Sequence, residues 1–546
     1  MIAAVASPAR RRGVHLATLA AVAGLGLVMV LSEMRLPSII GSLDPLGNFA
    51  RFMAGRMLLW LALGAVSVAL PLRHTGTVIG LAFVGCLLAS VIGGVAWPNS
   101  GDEYSYVFLA DLLMHGRIAT EALLDPVLFE FTHVLVRDGW MFSPYPPGWS
   151  ALLAPFRAVG MEVLVNPLLT VVLGAALAGI LARLGIGPAV RRTAIALVLL
   201  VPFTLFLGGS VFPQTLAATA VAGIVWLQVA DEAAPGRRRK LAVGVLFGVL
   251  LMTRYDVLAL AALPYAVDRL MIRRFAALSD GIWVALGFLP FVALHLGYNS
   301  ALTGNPLMLP AVWGGIEALY APEMTFGLRV LLALTQDLQF AGELALFGGL
   351  PVAALALLGL VARVRVGTCR FWDFFLPSAV VFYSFIPFSG GHQYGPRYWF
   401  WAFPVCVVTV VTALVDTSGL LRVGSRCVAF EKFAACCLLC GSITFAGLLM
   451  TTRTYMQARQ EVYAAVPPMK PATVMVPDRV LVLWPWQAAP IMAYNYDFTR
   501  NDPPFTGPVL YARDNVEDSI LRACRLPGRH VYRWVAPGEL QPAGCP

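Results

Sequence analysis

Two adjacent carboxylates follow directly after an apolar run that is long enough to cross a bilayer. The run extends from Thr77 to Ala96, and Asp102 and Glu103 follow in "GDEYSY". A carboxylate at a membrane surface can accept a proton from an attacking hydroxyl group, bind a divalent metal, or cap a helix. Adjacent residues on a helix point about 100° apart, so one can face a site while the other supports it. Taken alone, the pair favours the capping interpretation.

A second charged pair interrupts a later apolar run. In "LLMTRYDVLAL", Arg254 and Asp256 stand at the end of a segment that would otherwise span the membrane. Charges at such a depth are costly and are typical of ion pairs or functional sites. Arg254 could therefore bind a lipid phosphate, and a structural ion pair with a neighbouring helix is the alternative.

A third group of polar residues lies in "GHQYGPRYWFWAFP", a turn that opens another apolar segment. It contains His392, Tyr394 and Arg397, with Pro396 at a position acceptable for the first turn of a helix. Free backbone amides at a helix start, together with an arginine, suit an anionic phosphate. The alternative is an aromatic and arginine anchor at the membrane interface.

Two further loops carry candidate binding residues. Tyr145 lies in "MFSPYPPGWSALLAPF", where an interfacial aromatic anchor is the main alternative to a binding role. Tyr298 and Asn299 lie in "GYNSALTGNPLMLP". Their polar side chains could bind a sugar or only shape the loop.

The composition identifies the elements that must position these residues. The chain has 546 residues, of which 59% are hydrophobic and 13% are charged. Soluble domains carry about 25% charged residues, so the long apolar runs indicate an integral membrane protein built from helices. The net charge of +9 comes from basic residues in short loops, where they set orientation. Nucleic acid is therefore not an expected partner.

The apolar runs predict an all-α polytopic protein with about 13 transmembrane helices and a cytoplasmic amino terminus. With that orientation, every short basic cluster falls on the cytoplasmic side. The assignment depends on dividing 241–272 into two helices at Arg254, because a single helix would invert the predicted orientation of every later span and loop. The predicted spans are 14–32, 53–71, 77–96, 163–183, 190–208, 213–230, 241–253, 256–272, 280–298, 341–362, 372–388, 397–416 and 430–451.

The opposite side of the membrane then receives the acidic loop 97–162 and the carboxy-terminal tail. The sequence predicts a transmembrane domain over 1–453 with juxtamembrane helices, followed by a small extracytoplasmic α/β domain over 454–546. Cys524 and Cys545 lie in this tail, where the compartment is oxidising and the enclosed loop is short. A disulfide between them is expected, and two unpaired thiols are the alternative.

The ordered set of motifs resembles the GT-C class of membrane glycosyltransferases. "GDEYSY" opens an external loop, "YPPGWSALLAPF" closes it, and "TRYD", "YNSALTGNP" and "YGPRYW" follow in that order before a soluble tail. The sequence is most similar to bacterial relatives of the protein O-mannosyltransferases and lipid A aminoarabinose transferases. The similarity covers most of 77–420.

The resemblance implies an inverting transfer of a sugar from a polyprenyl-phosphate donor to an envelope glycan, lipid or protein. It implies a multi-pass protein of the bacterial inner membrane, acting on the extracytoplasmic side. Asp102 would be the general base, with Glu103 as support or as a second contact. The residues that would contact the lipid phosphate or the substrates are Arg254, Asp256, His392, Tyr394, Arg397, Tyr145, Tyr298 and Asn299.

Some members of the class use a divalent metal and others do not, and the sequence shows no complete ligand set for one. Two other functions share the topology. A transporter or flippase of a lipid-linked saccharide would need charged or broken helices near the bilayer midplane. A glycan polymerase or ligase would differ in its donor. The external position of the polar residues favours the transferase.

Overall fold

The computed structural model describes residues 74–98, 100–122, 128–129, 133–274, 276–315, 326–386, 394–416, 423–465, 480–484, 509–513, 518–526, 528–536 and 539–545. The predicted spans at 14–32 and 53–71 and the candidate residue His392 lie outside these ranges. The described chain is mostly helical. Its first part contains α1 Thr75–Val91, α2 Gly101–Met114, β1 Ala119–Glu121, β2 Leu135–Arg137, β3 Trp140–Phe142, α3 Gly148–Ala158, α4 Val165–Arg183, α5 Pro188–Leu199, α6 Pro202–Leu207, α7 Gln214–Ala233, α8 Arg237–Leu251, α9 Tyr255–Arg273 and α10 Ala276–Thr303.

The second part begins with α11 Pro310–Trp313, α12 Phe326–Leu346, α13 Leu350–Val366, α14 Phe375–Ser384, α15 Cys406–Asp416 and α16 Val423–Ala465. It ends with β4 Val480–Trp484, β5 Val509–Arg513, α17 Ser519–Cys524, β6 His530–Ala536 and β7 Glu539–Pro542. Short 3-10 helices cover Glu162–Leu164, Phe371–Phe374 and Arg397–Trp399.

Four described helices are long and apolar enough to cross a membrane, by length and composition. They lie at Glu162–Arg183, Gln214–Ala233, Ala276–Thr303 and Ala429–Thr454. The count becomes five if the bent pair Gly327–Leu346 and Leu350–Val366 is one span. The predicted number of about 13 stays a prediction.

The helix boundaries confirm one prediction and correct another. The run 241–272 is divided, as predicted, because α8 ends at Leu251 and α9 begins at Tyr255. The segment predicted as one helix over 341–362 is instead broken between α12 and α13, whose axes differ by 119°. Gly348, in the break, has φ +75°, a left-handed conformation that ends a helix and that glycine adopts without steric cost.

Close packing of small residues joins α8 to α10. A Cβ atom on Gly244 would lie 2.0 Å from the carbonyl oxygen of Val284, and one on Gly287 would lie 2.1 Å from that of Leu241. Helices in lipid associate through such close backbone approaches, because burial of apolar area supplies no net driving force there. The pair therefore forms a rigid support beside the turn that carries Arg254.

Charged residues also meet at one end of the helices, in what we call the distal charge cluster. Within it, Arg370 Nε lies 3.1 Å from Asp268 Oδ1, and Arg363 Nε lies 3.0 Å from Asp373 Oδ2. The cluster consists of Glu232, Asp268, Arg269, Arg363, Arg370, Asp373 and Asp416. It ties the carboxyl ends of α7, α9, α13 and α15 to the loop before α14.

The loop after α2 forms a small antiparallel sheet of order β1-β3-β2. The described tail forms a second sheet of order β5-β4-β6-β7, in which β4 is parallel to both neighbours and β7 is antiparallel to β6. A disulfide joins Cys524, at the end of α17, to Cys545, with Cα atoms 5.6 Å apart.

The tail packs directly on α2. One buried apolar cluster combines residues of α2 and the loop after it with residues of the tail. Its members include Tyr104, Phe108, Leu109 and Leu112 of α2 and Leu510, Ala512, Ala523, Leu526 and Val531 of the tail. The helix that carries the acidic pair therefore packs against the carboxy-terminal sheet and α17.

Gly148 controls the position of the turn that carries Arg254, and this contact gives a first prediction. Its backbone N–H donates to the carbonyl oxygen of Met252 at 2.7 Å, and a Cβ atom there would lie 2.5 Å from the same oxygen. We expect Gly148→Ala to lower the free energy of unfolding by about 1–3 kcal/mol, measured as thermal unfolding of the detergent-solubilised protein.

Gly297→Ala is the matched control, because no atom lies within 4 Å of a Cβ built at this helical glycine. That variant should unfold at or slightly above the wild-type temperature. Equal melting temperatures for both variants would show that the contact between α3 and the turn at Met252 does not constrain the fold.

Candidate active site

Asp102 lies in the first turn of α2, where the local sequence fixes its position. Ser100 is the N-cap residue, and its side chain accepts a hydrogen bond from the backbone N–H of Glu103 at 3.3 Å. An acidic residue in the first turn is stabilised by the positive end of the helix dipole. The first turn of α2 therefore contains both the capping hydrogen bond and the Asp102 carboxylate of the candidate site.

Three side chains from distant parts of the chain surround the Asp102 carboxylate. Arg397 donates to Oδ2 through Nη2, and the Tyr145 hydroxyl donates to Oδ1. His133 Nε2 lies 3.8 Å from Oδ1. Only 16% of the Asp102 side chain and 4% of the Arg397 side chain are exposed, so water screens this ion pair weakly.

A second ion pair lies in the same cavity. Arg254 precedes α9 and holds Asp256 through two contacts, Nε to Oδ1 at 3.0 Å and Nη2 to Oδ2 at 2.5 Å. The Tyr383 hydroxyl, near the end of α14, also donates to Asp256. This bidentate geometry is the strongest form of an arginine–carboxylate pair.

Tyr398 links the two ion pairs. The guanidinium carbon of Arg254 lies 5.3 Å from the centre of its ring, and that of Arg397 lies 5.4 Å away. The Tyr383 ring stacks on Tyr398 with centroids 5.0 Å apart. Aromatic faces attract guanidinium groups, so this arrangement keeps two cations close together despite their mutual repulsion.

The two ion pairs border a cavity of about 300 Å³. Its walls come from the amino ends of α2, α7 and α9, the loop before α3, and the chain that ends at Ile386 and resumes at Tyr394. The lining residues are Asp102, Tyr106, Pro144, Tyr145, Pro146, Gln214, Thr253, Arg254, Tyr255, Asp256, Ala311, Tyr383, Ile386, Arg397 and Tyr398. The described structure therefore brings five of the candidates together, namely Asp102, Tyr145, Arg254, Asp256 and Arg397.

Four other candidates do not line this cavity. Glu103 is fully buried and accepts a hydrogen bond from the Ser100 hydroxyl at 3.3 Å. Tyr394 is buried, with its ring near those of Phe206 and Phe212. Tyr298 packs in a small apolar cluster, and the Asn299 amide donates to the carbonyl oxygen of Pro306 at 3.2 Å.

Several residues of the cavity were not among the candidates chosen from the sequence. Tyr106 stands four residues after Asp102, a spacing that places both side chains on the same face of a helix, so the sequence contained this signal. Tyr383, in contrast, lies inside an apolar run where a tyrosine ordinarily indicates an interfacial anchor. His133 contacts Asp102 without lining the cavity, and it was also not among the candidates.

The surroundings of Asp102 set its protonation state. Burial opposes ionisation, but the charge of Arg397, the proximity of His133 and the hydrogen bond from Tyr145 together hold its pKa well below its usual range. The carboxylate is therefore ionised throughout the physiological range. It is correspondingly a weak base while Arg397 remains bound to it.

This shift predicts how stability responds to pH. A lowered pKa contributes stability that is fully present above the ordinary carboxyl pKa and is lost as pH falls through the lower folded-state value. We expect the difference in melting temperature between wild type and Asp102→Asn to stay constant from about pH 8 to about pH 5. A difference that changes steadily between pH 7 and pH 5 would show that the pKa of Asp102 is raised above its ordinary value and not lowered.

Among the described residues, no group of three or more histidine, cysteine, aspartate or glutamate side chains is arranged to hold a metal ion.

The chain matches no known family model and no curated protein. It does resemble solved structures. The structure of ArnT from Cupriavidus metallidurans bound to undecaprenyl phosphate aligns over 84% of this chain and 92% of its own length, with a TM-score of 0.52 and 13% identity.

Two further structures align less closely. ArnT from the same organism in the apo state has a TM-score of 0.46 at 13% identity, covering 79% of this chain and 85% of that one. The apo oligosaccharyltransferase of Archaeoglobus fulgidus has a TM-score of 0.45 at 12% identity, covering 76% of this chain and 62% of that one. The alignment with ArnT over most of both chains shows that this protein has the fold of the GT-C membrane glycosyltransferases.

Proposed function

We propose that the protein transfers a sugar from a polyprenyl-phosphate donor to an envelope glycan, lipid or protein on the extracytoplasmic side of the bacterial inner membrane. The observation that carries this proposal is the meeting of an ionised carboxylate and two buried guanidinium groups in one cavity. The structure of ArnT that shares the fold holds undecaprenyl phosphate, which supports a lipid phosphate as part of the donor.

Arg254 and Arg397 are suited to a phosphate group that leaves with negative charge. Both guanidinium groups line the cavity, and both are largely buried. Arginine binds phosphate oxygens through a planar set of donors, and its attraction is strong where water is excluded. Charge that develops on the phosphate oxygen as the bond to the sugar breaks would be stabilised by these groups.

Donor binding would also activate Asp102. Because Arg397 is the main group that lowers the Asp102 pKa, a phosphate that draws Arg397 away would make the carboxylate a stronger base. The pairing in the donor-free state keeps Asp102 a weak base until the donor arrives. Tyr145 and His133 would hold the carboxylate in place after Arg397 shifts.

The reaction then follows from the positions of these groups. An acceptor hydroxyl oxygen attacks the anomeric carbon and forms a new carbon–oxygen bond, and its proton passes to Asp102. The bond between the anomeric carbon and the phosphate oxygen breaks, and its electron pair stays on the phosphate. Attack on the face opposite the leaving phosphate inverts the anomeric configuration.

The helix directions support an extracytoplasmic site. Helix α9 begins beside Arg254 at the cavity, and Asp268 and Arg269 near its other end lie in the distal charge cluster, about 18 Å away along the axis. The basic residues at Arg237–Lys240 and Arg273 stand at that same distal end. The positive-inside rule puts that end in the cytoplasm, and the cavity on the other side.

The location of the cavity favours a transferase over a transporter. A carrier places its site near the bilayer midplane between repeats. Here the lining residues come from helix ends and from the loops that connect helices. In this proposal, 1–453 forms the transmembrane transferase domain and 454–546 an extracytoplasmic domain that packs on α2.

Comparison of envelope glycans and lipids between a deletion strain and its parent tests the proposal. We expect one glycoconjugate to lose a sugar in the deletion strain and to regain it with the wild-type gene, but not with Asp102→Asn. Reporter fusions at Gly101 and Arg238 test the sidedness. Unchanged glycoconjugates, or a cytoplasmic Gly101, would contradict the proposal.

A further inference from the structure

Two neutral polar atoms on the cavity wall have no hydrogen-bond partner among the described residues. They are Oε1 of Gln214 and the hydroxyl of Tyr255. Only 4% of Gln214 is exposed, and both atoms are shielded from solvent. Buried polar atoms in folded proteins are nearly always hydrogen-bonded, so two such atoms on one cavity wall indicate that a ligand supplies the partners.

These two residues lie beside the charged groups. Tyr255 follows Arg254 directly, and Gln214, the first residue of α7, lines the same cavity as Arg397. A group attached to a phosphate held by the two arginines would therefore share the cavity with Gln214 and Tyr255.

More unpartnered polar atoms of the described chain lie behind Tyr255. The ring of His295 meets that of Tyr255 edge to face, with centroids 5.3 Å apart. His295 Nδ1, the Tyr298 hydroxyl and Asn299 Oδ1 are all buried without hydrogen-bond partners. Unpartnered polar atoms thus continue behind the cavity wall from Tyr255 into α10, and none of these residues is a carboxylate, arginine or lysine.

The charged groups of the described cavity wall already have partners. Asp102 is held by Arg397 and Tyr145, and Asp256 by Arg254 and Tyr383. A uronic acid would compete with the phosphate for the arginines. Sugar hydroxyl groups need only neutral donors and acceptors, and the unpartnered atoms of Gln214 and Tyr255 are neutral.

We propose that Gln214 and Tyr255 are specificity-determining contacts to hydroxyl groups of the transferred sugar. This proposal rests on the proposed function, because it takes Arg254 and Arg397 as the binding groups for the donor phosphate. Gln214 can accept from one sugar hydroxyl and donate to another, and the Tyr255 hydroxyl can do either. An analogue that lacks these hydroxyls, or carries a charge in their place, leaves the same atoms unpartnered.

Binding measurements on the full-length protein in nanodiscs test this assignment. The probes are undecaprenyl phosphate alone and undecaprenyl phosphate carrying glucose, mannose or N-acetylglucosamine, 4-amino-arabinose, or glucuronic acid. We expect at least one neutral sugar to increase affinity over undecaprenyl phosphate alone by about tenfold or more. Gln214→Leu and Tyr255→Phe should each remove most of this gain while leaving the affinity for undecaprenyl phosphate unchanged.

Gln228→Leu and Tyr265→Phe are matched controls, because they lie on the same two helices and do not line the cavity. Both control variants should retain the gain in affinity that the neutral sugar gives over undecaprenyl phosphate alone. A gain in affinity for the neutral sugar that persists in both Gln214→Leu and Tyr255→Phe would overturn the proposal.

Two further results separate the alternatives. If the two variants lose binding of neutral methyl hexosides but keep the donor gain, the assignment to the donor is overturned and the residues contact the acceptor instead. If wild type does not bind undecaprenyl phosphate, or if Arg254→Gln binds it as well as wild type does, the proposed function fails rather than the sugar assignment.

Discussion

Asp102→Asn is expected to lower the rate of sugar transfer by about a thousandfold. The asparagine side chain keeps the size of the group and an acceptor for the Tyr145 hydroxyl, but it loses the negative charge and cannot take the acceptor proton. The rate is measured in purified membranes as transfer from the lipid-linked donor, and protein content and melting temperature are recorded in parallel.

Asp111→Asn is the matched control for this variant. Asp111 lies on α2 as well, and it pairs with Arg157, whose Nη2 lies 3.1 Å from Oδ2. It does not line the cavity. We expect this variant to transfer sugar within a few-fold of the wild-type rate. Full activity in Asp102→Asn would remove the carboxylate from the mechanism.

The second large effect is expected for Arg397→Gln, which should impair both folding and donor binding. The variant leaves the buried Asp102 carboxylate without its cation, and breaking a buried ion pair from one side costs about 3–5 kcal/mol. It also removes a phosphate-binding group, so donor affinity should fall by about ten- to a hundredfold. Thermal unfolding and binding of undecaprenyl phosphate measure the two effects separately.

A double variant separates folding from function. Asp102→Asn combined with Arg397→Gln removes both charges, so it should recover much of the stability lost in Arg397→Gln. It should nevertheless remain inactive, because the base and a phosphate-binding group are both absent. Recovery of transfer along with stability would show that the pair has only a structural role.

Arg363→Gln provides the comparison from the distal charge cluster. Arg363 is as buried as Arg397, with 4% of its side chain exposed, and it pairs with Asp373 and Asp416. This variant should be destabilised to a similar degree while the remaining folded protein keeps its donor affinity. A comparable loss of donor affinity would mean that destabilisation alone explains the effect of Arg397→Gln.

Local signals in the sequence predicted much of the fold. The charge at Arg254 correctly divided 241–272 into two helices, because a buried arginine inside an apolar segment is costly enough to mark a helix end. The break at Gly348 was missed, since an apolar run looks the same whether it continues straight or bends. Hydrophobicity reports burial in lipid but not the backbone conformation of a single glycine.

The site was predictable only in part, for a similar reason. Residue type and proximity to helix ends selected Asp102, Tyr145, Arg254, Asp256 and Arg397, which share the cavity. Asp102 and Arg397 are 295 positions apart, and nothing local in either segment specifies that they pair. Tyr298 and Asn299 were equally plausible by type, but in α10 they are buried outside the cavity lining.

The packing of the tail on α2 has a consequence for the order in which the protein is assembled. The face of α2 opposite the cavity is covered by Leu510, Ala523 and Val531, which are synthesised only after α16. Helix α2 therefore lacks these apolar neighbours until synthesis has continued beyond α16. A nascent chain stalled within α16 would contain every residue that lines the cavity but would not yet have the tail residues that pack on α2.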